Sequence, residues 1–197
     1  MEVTALLKSF IFLTASSLLL PVLAMLAALT VWVVVHGGSF FALWLERRRA
    51  GRPADAVEAL ARGEYRSFGP AVETFCRRLA EVDRGGRADV AVMSLLRETE
   101  HRLWKELDVL RIVTRAGPGL GLVGTLIPMG TALASLGDGD LTRLSGELVV
   151  AFTTTVVGMT LGLLSHFFHT VQRRWVEEDV RHMEIAAELA TSGEDGR

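Results

Sequence analysis

The sequence predicts an all-α membrane protein with three transmembrane helices and long helical extensions on the cytoplasmic side. Two observations predict it. The 197-residue chain is 50% hydrophobic and only 22% charged, with a mean hydropathy of +0.34, too apolar for a soluble domain of this size. The apolar character is gathered into three stretches free of Asp, Glu, Lys and Arg: 37 residues from Ser9 to Leu45, 22 from Ala116 to Gly137 and 25 from Leu148 to Gln172. A hydrocarbon core of about 30 Å takes about 20 helical residues to cross, so each stretch is long enough.

The first segment, residues 1–45, holds the oversized run. A hairpin of two crossings needs a turn near its middle, whereas the breakers, Pro21 and His36-Gly37-Gly38, lie off centre. One long helix is the preferred reading, with its outer part, about Ala5 to Ser17, in the headgroup region and Trp44 at the inner interface. A signal peptide cleaved near Ala24 fits less well, because the apolar run continues far past the usual core of about 7 to 15 residues.

Residues 46–115 form a charged loop that reads as helical. Pro53 opens a short helix through Leu60, Pro70 a second through Val82, and Gly85-Gly86 separates these from a long run starting near Ala88. In that run Val92, Leu96, Leu103, Leu107 and Leu110 recur at helical spacing, continuing into the second crossing. Residues 116–172 hold the second and third crossings, and residues 173–197 a tail whose Glu177 to Ala190 stretch continues the last helix into water.

Basic residues orient the chain. The loop from Glu46 to Arg115 carries 15 Lys and Arg and the tail 4, against Lys8 and Arg143 elsewhere. Nineteen against two places loop and tail in the cytoplasm, and the amino terminus and the link Asp138 to Glu147 outside. The near balance of 21 Lys/Arg and 23 Asp/Glu leaves no basic footprint for nucleic acid. The single cysteine, Cys76, excludes an intrachain disulfide or a Cys-based zinc site and reads as helix filler. No cofactor and no enzymatic step are expected: the glycine-rich Gly117 to Gly124 has no following Lys to cradle phosphate, and no nucleophile–base pair stands out.

Within the crossings, small residues fall in stripes. Gly117, Gly121, Gly124 and Pro128 share one helical face, as do Ala151, Thr155, Gly158 and Gly162, and such faces let helix backbones approach closely, within or between subunits. Thr125 and Thr153-Thr154-Thr155 carry hydroxyls at membrane depth. Bonding to the carbonyl four residues back is their commoner fate; as a set they are also able to line a hydrated path, since a hydroxyl both donates and accepts. No Asp or Glu lies in any crossing, so a titrating group for proton movement has to come from another chain.

Pro118-x-x-Gly121-Leu122-x-Gly124-Thr125, followed by Ala151-Phe152-x-Thr154-Thr155-x-x-Gly158, resembles the MotA/TolQ/ExbB proton-channel family, with the likeness extending from the first crossing to Trp175. The resemblance implies a proton or sodium channel subunit of the cytoplasmic membrane. It implies a pentamer around two transmembrane helices of a small single-span partner similar to ExbD, TolR or MotB. The partner's membrane aspartate would carry the ion past threonines matching Thr125 and Thr155, driving rotation or shear. Pro118, Gly121, Gly124 and Gly158 match as well. Val150 stands where ExbB-like and TolQ-like members have glutamate, and Pro128 where a glycine is common, predicting a bend. The loop is short for a flagellar member. The alternative function is a non-conducting scaffold held by its glycine faces.

Three further groups are candidates. Asp138, Asp140 and Glu147, repeated around a ring, would gather cations at an outer mouth, although an N-cap is the preferred role for Asp140. His166 and His169, one turn apart, fall short of a metal ligand set and read as headgroup contacts with membrane lipid. His36 reads as turned toward a partner helix.

Overall fold

A computed structural model describes residues 2–49, 56–82, 88–137 and 139–192. It contains α1 (Glu2–Arg49), α2 (Ala56–Ala61), a 3-10 turn at Tyr65–Ser67, α3 (Pro70–Ala80), α4 (Ala88–Gly137) and α5 (Leu141–Ser192), with no strand among the described residues. Three of these helices, α1, α4 and α5, are long and apolar enough to cross a membrane.

The first run is one continuous helix through Pro21, not a hairpin. The expected long helix from Ala88 is also continuous, passing Pro118 and Pro128 to Gly137. Expected helix boundaries shift slightly elsewhere. The second loop helix ends at Ala80, where Glu81 N–H bonds back to Arg78 and Leu79 carbonyls, two residues short of Val82. The first ends at Ala61 rather than Leu60; its expected opening at Pro53, and the Gly85-Gly86 separator, lie outside the described residues.

The chain divides into two compact units. One comprises residues 1–37 and 110–167. Here α1 buries Val22, Leu26 and Val33 along one side while Val31, Val34 and Val35 stay exposed, the pattern of a helix packed on one stripe with apolar surface left for lipid. The α4–α5 reversal is a short closure. Gly139, at φ +75°, donates to the Leu136 carbonyl at 3.2 Å, and Asp140 N–H reaches the Ser135 carbonyl at 3.1 Å. These two bonds satisfy carbonyls left open at the end of α4, in the arrangement that favours glycine at the left-handed position.

The other unit comprises residues 38–109 and 168–197. Its core joins Ala59 and Leu60 of α2, Val72, Phe75 and Cys76 of α3, Val92 and Leu96 of α4, and Met183, Ala186 and Ala187 of α5. Burial pushes the Cys76 thiol up to about 11, in keeping with a structural rather than reactive cysteine. Along one edge Phe40 packs on Phe168 and Trp175, with ring centroids 4.8 and 5.2 Å apart.

Candidate ion-path site

The site is built where glycines of α4 and α5 bring the two backbones into close contact. Pro118 has no N–H, so the Thr114 carbonyl one turn earlier loses its helical partner. That carbonyl and the proline ring both face Gly162: a Cβ added there would lie 2.7 Å from Pro118 Cγ and 3.3 Å from the Thr114 oxygen. One turn further, a Cβ on Gly158 would lie 2.6 Å from the Gly117 oxygen and 2.7 Å from Gly121 Cα. On the facing helix, a Cβ on Gly121 would lie 3.1 Å from the Thr154 carbonyl oxygen and one on Gly124 would lie 2.9 Å from Thr154 Cβ. The two small-residue stripes therefore mesh with each other inside one chain, backbone against backbone.

That close approach brings hydroxyls together. The Thr125 and Thr155 hydroxyls are hydrogen-bonded to each other, and either is able to donate. Thr125 Oγ1 also reaches the Gly121 carbonyl at 2.8 Å and the Ala151 carbonyl at 3.3 Å. Thr155 Oγ1 reaches that same Ala151 carbonyl at 3.3 Å. Each hydroxyl has one proton, so the pair has two hydrogen-bonded directions, Thr125 to Thr155 to Ala151 or Thr155 to Thr125 to Gly121. Both threonines are half-buried, on the edge of the seam.

The neighbouring threonines are disposed differently. Thr154 is buried against Gly124 and donates to the Ala151 carbonyl at 2.8 Å. Thr153 is exposed and donates to the Val149 carbonyl at 2.7 Å. Of the predicted set, then, Thr125 and Thr155 come together and Thr154 lies inside the helix contact beside them. Pro128 is fully buried on the same α4 stripe.

A family comparison bears on this arrangement. A model of the MotA/TolQ/ExbB proton channel family matches residues 73–185, more than half of the chain. The chain belongs to this family. No curated protein and no solved structure matches it. As a MotA/TolQ/ExbB member it is a subunit of proton-channel type, and the matched region contains both meshed stripes and the threonine pair.

The remaining candidates fall elsewhere in this family member. Asp140 caps α5: the Arg143 N–H donates to its Oδ1 at 3.0 Å, the role its position favours. Glu147 is half-buried on α5, and Asp138 lies outside the described residues. His36 stacks on Trp32 of its own helix, with centroids 5.1 Å apart. His166 is exposed and His169 half-buried, and no group of three or more potential metal ligands occurs among the described residues.

One side-chain contact escaped the sequence reading: the Arg47–Asp179 ion pair between α1 and α5. Its signal was present, because Asp179 interrupts the apolar stripe of Val176, Met183 and Ala186 at helical spacing.

Proposed function

We propose that the chain is the ion-conducting wall of a complex driven by proton- or sodium-motive force, with several copies, five by family resemblance, ringing two helices of a small partner that carries a membrane acid. The observation that carries this reading is the half-buried Thr125–Thr155 hydroxyl pair in a wall without any charge. Neither hydroxyl titrates in the working range, so the pair supplies hydrogen bonds to water, to a cation's shell or to a carboxylic acid, and the partner supplies the group that binds and releases the ion. Its two donor directions let it face either form of such an acid: it donates to a carboxylate and accepts from a carboxylic acid. Thr154, one residue along, fills the space over Gly124 beside the pair.

The test is Thr125→Val and Thr155→Val in the native complex, with assembly checked by subunit composition. Loss of one transition-state hydrogen bond worth about 1.4 kcal/mol slows ion-driven work roughly tenfold. Full activity in both variants, in intact complexes, contradicts the assigned path.

A second reading, a non-conducting scaffold, draws on the same seam, since meshed glycines and back-bonded hydroxyls alone hold two helices together. The two readings part at the partner: a neighbouring coding region for a short single-span protein with a membrane aspartate accords with conduction, and its absence with scaffolding.

A further inference from the structure

Asp179 lies on α5 seven residues past the last charge-free run, and only 2% of it is exposed. Its Oδ2 accepts a hydrogen bond from Arg47 Nη2 near the end of α1. Its Oδ1 is buried with no hydrogen-bond partner. The Arg47 guanidinium is held on two further sides. Its carbon sits 5.2 Å from the Trp175 ring centre, and a Cβ added at Gly69, just before α3, would lie 3.4 Å from Nη2. The pair thus ties together the end of α1, the last third of α5 and the junction before α3.

An arginine commonly closes both oxygens of a buried carboxylate with two parallel bonds. Here one oxygen is bonded and the other is buried without a protein partner, an arrangement that penalises the ionised form. A proton on Oδ1 removes the carboxylate's charge and leaves Oδ2 able to keep its bond from Arg47, whose guanidinium stays charged, partly exposed and over the Trp175 ring. We propose that Asp179 is a proton-binding site, and that taking up a proton there tightens the packing of α1 and the α3 junction on α5.

The charged and titratable groups around it work in known directions. Burial is the largest influence and pushes the Asp179 carboxyl up from 3.8 to about 6, Arg47 from α1 opposes it, and Glu178 beside it on α5 adds to it. His182, one turn further along α5, stands edge-on to Phe68 with centroids 4.7 Å apart, and the α3 junction presents the Gly69 backbone. In a loosened unit the carboxyl regains its ordinary value near 3.8, so the packed form binds the proton more tightly. The proton's contribution to packing is therefore complete below about pH 3.8 and is lost as the pH rises through about 6. In a proton-channel subunit such a site senses proton activity on the side of the basic loop. It is separate from the threonine pair, and its test reads neither conduction nor assembly.

The experiment is amide hydrogen exchange of the full chain in lipid nanodiscs, corrected for intrinsic rates, over residues 40–49 and 172–183, together with isotope-edited infrared titration of aspartate carboxyls. In the wild type a carboxyl band absent from Asp179→Asn should titrate with a midpoint near 6, and protection should be about tenfold higher at pH 5 than at pH 7. Asp179→Asn should be flat with pH at the high level, and Arg47→Gln should move the midpoint upward. A wild-type carboxyl that titrates below about pH 4.5 overturns the proposal, as does protection unchanged over that range. So does an Asp179→Asn chain that keeps the wild-type transition, or an Arg47→Gln midpoint that stays or falls; should either variant fold poorly, the wild-type titration decides alone.

Discussion

Thr125 and Thr155 share two protons among themselves and two backbone carbonyls, and the hydroxyl-to-hydroxyl bond between α4 and α5 is what separates them from Thr153 and Thr154. Thr153 and Thr154 each spend their proton on a carbonyl of their own helix and have no threonine facing them in hydrogen-bond range. The sequence identified the threonine cluster by residue type and depth, and the Ala151–Thr155–Gly158 stripe and the family resemblance singled out Thr155; the glycine contacts fix the helix rotation that brings it to Thr125. Cys76 shows the opposite case, a residue whose bland reading was legible from its isolation. With its thiol pushed from 9.0 to about 11, the reactive thiolate is about 100-fold scarcer at neutral pH. Maleimide labelling of the folded chain at pH 7.5 should be slower than that of the denatured chain by at least this factor; equal rates contradict the buried α3 packing.

At the scale of elements, the seam between α4 and α5 was readable as two periodic stripes of small residues, because a face of Gly, Pro, Ala and Thr at spacings of three and four has few other uses in an apolar helix. What periodicity left open was whether the stripes face each other or a second chain. The short reversal at Gly139 makes the two helices neighbours, and the Gly117, Gly121 and Gly158 backbones close the gap. Gly158→Ala drives a methyl group against backbone atoms at 2.6 and 2.7 Å, so the helices have to part, at a cost of about 1–3 kcal/mol by overpacking. Gly130→Ala meets nothing within 4 Å and should be neutral or stabilising by up to about 1 kcal/mol. Thermal unfolding of the two variants in the same detergent checks the contrast; equal melting temperatures contradict the seam. The long α1 and α4 were legible from uninterrupted apolar runs and helical spacing. The end of α3 at Ala80 was not, because Glu81 and Val82 close in a turn that no strong breaker announces.

For the whole molecule, the fold class was legible because a bilayer demands long charge-free helices, and the family was legible as a resemblance carried by the Pro, Gly and Thr motifs of the second and third crossings. The Arg47–Asp179 tie was not read, since the partners lie 132 positions apart: Asp179 stands out on its apolar stripe, but nothing local names Arg47, one of three consecutive arginines, as its partner. In the proposed division of labour this chain supplies a neutral wall with a hydroxyl pair and a companion supplies the acid. The most direct measurement is proton and sodium flux into liposomes carrying the purified chain, alone and then assembled with its native partner. Flux should appear only in the assembled state and be abolished when the partner's membrane acid is replaced by its amide; flux through the chain alone, equal to that of the complex, rules out a division of labour.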